Sequence, residues 1–117
     1  MHTSALGKIG EDRAVEALEK AGMSIIARNF RSRYGEIDII ALDGDTLVFA
    51  EVKTWVKYGM ENLSYSITPK KQGRIIETAK YFLSIHRQYY GGAIRFDVVF
   101  VDKEAVTHLA SAFMESV

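Results

Sequence analysis

Apolar residues recur at helical spacing over residues 4–21, where Leu6, Ile9, Gly10, Ala14, Leu18 and Ala21 form one stripe, and this spacing predicts a helix. Thr3 or Ser4 is placed to cap its start, and Gly22 suits the left-handed position that follows a helix end. Residues 23–30 are short and apolar-rich, as in a strand, and the cationic run Arg31-Ser32-Arg33 follows. Residues 36–42 and 46–54 read as two further strands joined at Asp43-Gly44-Asp45. Asp-Gly between two β-type runs is a strong hairpin signal, because a tight turn of that kind wants positive φ at both central residues. Periodicity is weak over residues 55–67, which contain Gly59 and Asn62 and are expected to form a loop. Thr68-Pro69 then supplies an N-cap and a proline at the first helical position. That helix should run to about residue 86 and bury Ile75, Ile76, Ala79, Phe82 and Leu83. Gly91-Gly92 breaks the chain before a strand over 94–101, and a weaker strand is expected at 105–109. Helix, three strands, helix and one or two strands make an α/β sandwich around a mixed sheet, expected as one domain over residues 1–117.

Composition narrows the function classes. The chain has 117 residues, 48% apolar and 26% charged, which fits a folded domain and not a disordered tail. No apolar run approaches the ~18 residues of a membrane span, and no basic-then-apolar leader opens the chain, so no membrane partner and a cytoplasmic location are expected. There are no cysteines, which excludes disulfides and thiolate metal sites. The histidines, His2, His86 and His108, are isolated and lack ligand spacing. Fifteen basic and fifteen acidic residues cancel, which counts modestly against strong non-specific affinity for nucleic acid. A nuclease that sets carboxylates at a metal and cations around it can also sum to zero.

The informative charges are those inside apolar strands. Side chains alternate along a strand, so Glu36, Asp38 and Ile40 share one face, and Leu47, Phe49, Glu51 and Lys53 share another. A two-residue Asp43-Gly44 turn makes Asp38 a diagonal neighbour of Glu51, roughly 7–8 Å away. A four-residue turn sets them directly opposite. Either even-length turn puts Asp38, Glu51 and Lys53 on one face, whereas a three-residue loop with a bulge changes the parity. Two carboxylates and a lysine among apolar residues are costly unless compensated, and a divalent cation compensates them. Asp38 and Glu51 are therefore expected to hold Mg²⁺ or Mn²⁺, with the Val52 carbonyl as a third ligand and water and substrate phosphate completing the shell. Lys53 is expected to position or deprotonate the attacking water, or to stabilise developing charge. The plainer alternative is a Glu–Lys pair on a solvated sheet face, since Glu-x-Lys is common by chance.

Gly35-Glu-Ile-Asp-Ile-Ile40 followed by Leu47-Val-Phe-Ala-Glu-Val-Lys-Thr54 resembles the PD-(D/E)xK restriction-endonuclease-like superfamily. From Gly7 and Gly10-Glu11 through Arg28-Asn-Phe30 to Arg95-Phe-Asp-Val-Val99, nearly the whole chain is similar to the YraN family of uncharacterised bacterial proteins. That family in turn resembles archaeal Holliday-junction resolvases. The resemblance implies a restriction-endonuclease-like α/β sandwich, Mg²⁺ dependence, and phosphodiester hydrolysis on DNA, including branched or junction DNA. It also implies that Glu11, on the first helix, reaches the metal site, and that a homodimer forms, since a junction nuclease must cut two strands. One departure is visible. Where such chains usually read Lys-Thr-Arg, this one has Lys53-Thr54-Trp55, with Lys57 or a base-stacking Trp55 as substitutes for the missing cation.

Further cations are candidates for nucleic-acid contact. Arg28, Arg31 and Arg33, interleaved with Phe30 and Tyr34, are expected to form a phosphate-contacting edge. Lys71 and Gln72 lie near the start of the long helix with Lys70 and Arg74, where the helix dipole also favours an anion. Glu36 shares the catalytic face, as a site residue or a surface charge. Asp97 is expected to be structural, paired with Arg95 or Arg28, and Tyr81, Tyr89 and Tyr90 to be packing or surface residues. A competing reading is a non-catalytic nucleic-acid-binding module on the same fold.

Overall fold

The computed structural model describes residues 5–54 and 67–115. Helix α1 spans Ala5–Lys20, followed by strands β1 (Ser24–Ser32), β2 (Gly35–Asp43) and β3 (Thr46–Thr54). Helix α2 spans Pro69–Ile85, a 3₁₀ turn covers Arg87–Tyr89, and β4 (Ile94–Val101) and β5 (Val106–Phe113) complete the order. Among the described residues the five strands form one sheet in the order β1-β2-β3-β4-β5. Neighbours are antiparallel except β3 and β4, which run parallel. A parallel pair needs a crossover, and α2 lies in that connection. The expected α/β sandwich with a mixed central sheet is thus the fold observed. Thr3, Ser4, Trp55 and Lys57 lie outside the described residues, as does the expected loop over 55–67 apart from Ile67, which is buried.

Two apolar clusters cover the two faces of the sheet. Ile75, Ile76, Ala79 and Phe82 of α2 pack on Ile40, Leu47, Phe49, Phe96 and Val98. Ala14 and Leu18 of α1 pack on Ile39, Ala41, Val48, Ala50, Val99 and Val101. Successive residues of β3, from Leu47 to Ala50, alternate between these clusters, as strand geometry requires. The α1 stripe is shorter than its periodicity: Leu6 and Ile9 remain 58% and 49% exposed, and burial begins at Gly10. There α1 approaches β3 so closely that a Cβ on Gly10 would lie 2.4 Å from Thr54 Cγ2. The start of α2 follows its local signals, with Thr68 Oγ1 accepting from the Lys71 N–H at 3.2 Å and Pro69 in the first turn. The last strand is longer than expected, reaching Phe113, and β1 extends through the cationic run to Ser32.

Candidate active site

The β2–β3 hairpin closes at Asp43↔Thr46, so its two-residue turn is Gly44-Asp45, one place later than Asp43-Gly44. Gly44 takes φ +61, and Asp45 keeps negative φ, so only one of the two expected left-handed residues is needed. That is the pattern of a turn with glycine at its first central position. The later turn moves the pairing by two residues and leaves the parity intact. Register continues to Ile39↔Ala50, where the pairing ends, and the Asp38 and Glu51 side chains beyond it meet in a hydrogen bond. Asp38 Oδ2 accepts the Val52 N–H at 2.7 Å, fixing the carboxyl against β3. The Val52 side chain packs toward the α1 cluster, and Val52 pairs with Val99 of β4 on its other side.

Strands β1 and β2 both change faces at this level. Arg28 of β1 reaches Glu11 and Asp12 of α1, whereas Phe30 packs edge-on against Phe82 of α2, ring centroids 5.1 Å apart. Residues two apart share a face in a regular strand. Asn29 between them takes φ +53, a left-handed conformation that asparagine tolerates better than most residues. On β2, Ile37 belongs to the cluster under α2 and Ile39 to that under α1. The pairs Arg28↔Ile39 and Phe30↔Ile37 place Asn29 across from Asp38, so the two crossovers coincide. This concentrated twist brings the α1 side of the sheet within electrostatic reach of Asp38. Glu11, itself nearly buried, accepts from Arg28 at 3.1 Å and from Asn29 Nδ2 at 2.9 Å.

A cleft of about 190 Å³ opens at the site, lined by Gly35, Glu36, Asp38, Glu51, Lys71, Arg74 and Ile75. Glu51 is only 6% exposed, and its Oε2 receives the Lys71 ammonium at 2.6 Å. Burial is the largest influence on Asp38, followed by the Glu51 charge and a hydrogen bond with Glu51; together they push its carboxyl up to about 8. The Val52 N–H opposes this rise, and the Glu11 charge adds a smaller push. Below that value the pair holds a proton between its two carboxyls.

Asp38, Glu51 and Lys71 are thus brought together, with Glu11 behind them on α1. Lys53 is half-buried on the β3 face of Glu51, makes no ion pair with a described residue, and does not line the cleft. Glu36 lines the cleft and receives Arg31 at 3.3 Å. Arg28 pairs with Glu11 and Asp12, Gln72 donates to the Ile67 carbonyl at 3.0 Å, and neither is among the described residues that line the cleft. Arg33 donates to the Tyr34 hydroxyl beyond the cleft rim. Asp97, fully buried, receives Arg95, His108 Nε2 at 2.7 Å and the Ser111 N–H, away from the site. Burial pushes its carboxyl up, but the His108, Arg95 and Ser111 hydrogen bonds outweigh that, and the net is below the usual carboxylate range. Asn29 carries no site signal by its type; it sits between Arg28 and Phe30 in a strand of mixed polarity.

The residues fit a small divalent cation in part. Among the described residues, no group of three or more His, Asp or Glu side chains converges as a complete metal cage. Two adjacent carboxylates that repel each other, one raised to about 8, still form the kind of donor pair that Mg²⁺ takes together with water and phosphate. The Lys71 ammonium supplies to Glu51 the positive charge that such an ion would supply.

The chain matches the model of the uncharacterised protein family UPF0102 over residues 10–101. It is 44% identical to a UPF0102 protein of Persephonella marina over 92% of this chain and 91% of that one. A UPF0102 protein of Treponema denticola is 44% identical over 93% of this chain and 95% of its own length. One from Streptomyces griseus is 46% identical over 81% of this chain and 80% of its own length. With the motif on the β2–β3 hairpin inside the matched span, the chain belongs to the uncharacterised protein family UPF0102.

Proposed function

We propose that this protein is a divalent-metal-dependent nuclease that hydrolyses phosphodiester bonds in DNA, branched DNA included. The observation that carries the reading is the adjacent pair Asp38 and Glu51 lining one cleft and closed there by Lys71, where burial first and the Glu51 charge second raise Asp38 to about 8. A fold does not retain two repelling carboxylates in an apolar setting for stability, and strongly shifted groups in a cleft are the commonest mark of chemistry.

Asp38 and Glu51 would hold Mg²⁺ or Mn²⁺, which supplies Lewis-acid polarisation of the phosphodiester and a water acidic enough to react near neutral pH. Asp38 would be a ligand in its ionised form, and the Val52 N–H holds its carboxyl oriented. Lys71, which neutralises Glu51, lies at the first turn of α2, where its ammonium and the backbone N–H groups would favour a substrate phosphate. Arg74, one turn further along the cleft wall, adds a second cation for the same phosphate. Lys53, two residues beyond Glu51 on β3, does not line the cleft and would act on the attacking water, as base or charge-stabilising amine, only by reaching in from its edge. Glu11 holds Arg28 and Asn29, which fixes the twist that presents Asp38.

The test is cleavage of branched, single-stranded and duplex DNA with Mg²⁺ or Mn²⁺ by the wild type, Asp38→Asn and Glu51→Gln. Both variants should lose activity by at least a hundredfold; variants that cleave as well as the wild type overturn the assignment. One observation favours a second reading. Because Lys71 already compensates Glu51, the site is tolerable without an ion, as a non-catalytic nucleic-acid-binding module would require. DNA binding that is salt-dependent, with no metal-dependent turnover, would select that reading.

A further inference from the structure

A second cavity, of about 410 Å³, abuts the cleft and is lined by Arg31, Ser32, Arg33, Tyr34 and Tyr81. Its floor is built by the two-residue Arg33-Tyr34 turn that joins Ser32 of β1 to Gly35 of β2. Tyr34 and Tyr81 remain 38% and 43% exposed. Both rings are nevertheless held in place. Tyr81 stacks on Phe30, with ring centroids 6.1 Å apart, and the Arg33 guanidinium sits 5.0 Å from the Tyr34 ring centre while donating to its hydroxyl at 3.0 Å. The turn beneath them is tied down by Ser32 Oγ, which meets Thr78 Oγ1 of α2 at 3.0 Å and accepts the Tyr34 N–H at 3.0 Å. The border with the carboxylate cleft is a single ion pair, Arg31 to Glu36 at 3.3 Å.

We infer that this cavity receives an unpaired nucleotide of the DNA strand whose phosphate lies in the adjoining cleft, its base stacked on Tyr34 and its phosphates met by Arg31 and Arg33. The inference rests on the nuclease reading of the neighbouring cleft and narrows its substrate to DNA with an unpaired base beside the scissile bond. Volume, composition and placement support it independently. The cavity is within the size range of small-ligand sites. Two exposed, immobilised aromatic rings with two guanidinium groups make a stacking platform with an electrostatic rim, the combination that binds single strands without reading their sequence. A paired base cannot enter, because its faces are occupied by its neighbours in the duplex. Arg31 lines this cavity and its ion-pair partner Glu36 lines the cleft, so the two openings are neighbours along one strand path.

The experiment uses the full chain in EDTA, so that no cleavage occurs, and a duplex with a single-stranded overhang that carries a fluorescent adenine analogue. A blunt duplex of the same length is the control. Tyr34 is an exposed turn residue, so its variants should fold, which near-ultraviolet circular dichroism checks. Wild type should quench the analogue and bind the overhang substrate about tenfold or more tightly than Tyr34→Ala does, the magnitude of one lost stacking contact. Tyr34→Phe should bind as the wild type does, and blunt-duplex affinity should be the same for all three. Overhang binding unchanged in Tyr34→Ala overturns the inference, as does an equal loss on the blunt duplex or no binding of the overhang at all. A separate assay with Mn²⁺ keeps the two readings apart. Tyr34-dependent binding without any cleavage leaves this site standing and removes the nuclease. Cleavage that is indifferent to Tyr34→Ala does the reverse.

Discussion

Replacing Asp38 by asparagine should stabilise the protein while it abolishes activity, and the gain should grow with pH. A carboxyl whose pKa is higher when folded than when unfolded binds its proton more tightly in the folded state, so ionisation penalises the fold. For Asp38 the penalty is absent below about 3.8, grows through the window above it, and is complete beyond about 8. At 1.36 kcal/mol per pKa unit, it is on the order of 2 kcal/mol at pH 5 and about 4 kcal/mol at pH 7. Asparagine carries no such penalty. Its carbonyl oxygen still accepts the Val52 N–H, and its amide can donate to Glu51.

The assay is urea denaturation of wild type and Asp38→Asn in EDTA between pH 5 and 9. The difference in unfolding free energy should widen by up to ~1.4 kcal/mol per pH unit until about pH 8 and then level off. Adding Mn²⁺ at pH 7 should narrow the gap to on the order of 1–2 kcal/mol, because an ion that binds only the folded wild type adds about 2.7 kcal/mol at a hundred times its dissociation constant. A gap that stays flat with pH, or a variant less stable than the wild type at pH 8, refutes the electrostatic account of the pair.

Lys71→Met leaves the buried Glu51 carboxylate without its counter-charge and should cost about 1–2 kcal/mol in metal-free urea melts, while calorimetry shows tighter Mn²⁺ binding because no ammonium competes. Asp97→Ala leaves His108 without its carboxylate and Arg95 with Asp43 alone, and should cost about 1–3 kcal/mol by denaturation. Since the Asp97 carboxyl is held below its ordinary value, its contribution is present above the unfolded carboxylate range and fades as pH falls, so the variant should lose the acid limb of the stability curve. Gly10→Val drives a side chain into Thr54 and should lower stability by about 1–3 kcal/mol, whereas Leu6→Ala, on the same stripe but exposed, should change it by no more than ~0.5 kcal/mol in thermal melts.

What the sequence made legible was local or fixed by parity. Thr68-Pro69 starts α2 because the cap and the restricted φ act within one turn, and Asp38 and Glu51 share a face because any even-length turn preserves alternation. The turn position itself shifted by one residue without consequence. The β1–β2 hairpin was not legible, since Arg33-Tyr34 carries neither glycine nor asparagine and the cationic run resembles a loop. Nor was the partner of Lys71. Its approach to Glu51 depends on where α2 lies on the sheet, and helix-dipole reasoning placed it only near an anion. Periodicity overstated the α1 stripe, because Leu6 and Ile9 extend past the cluster that Ala14 and Leu18 enter.

Several costly features of this fold meet at the candidate site. Asn29 adopts a left-handed conformation inside a strand, Asp38 lies across from it, and Glu51 approaches Asp38 with its charge almost out of solvent. Each costs stability. The other left-handed strand residue, Ser111 of β5 at φ +54, is offset by its N–H bond to the buried Asp97, and β3 keeps its alternation. Strain spread at random would weaken several elements a little. Strain gathered at one crossing of β1, β2 and β3, with Glu11 and Lys71 reaching it from opposite helices, instead presents two carboxyls to a cleft in an arrangement that relaxation would destroy. The twist at Asn29 is what lets Glu11 of α1 act on Asp38 while Lys71 of α2 holds the adjoining Glu51. A regular strand there would leave Glu11 and Asp38 on separate faces, and the site would lose the influence of Glu11 along with its strain.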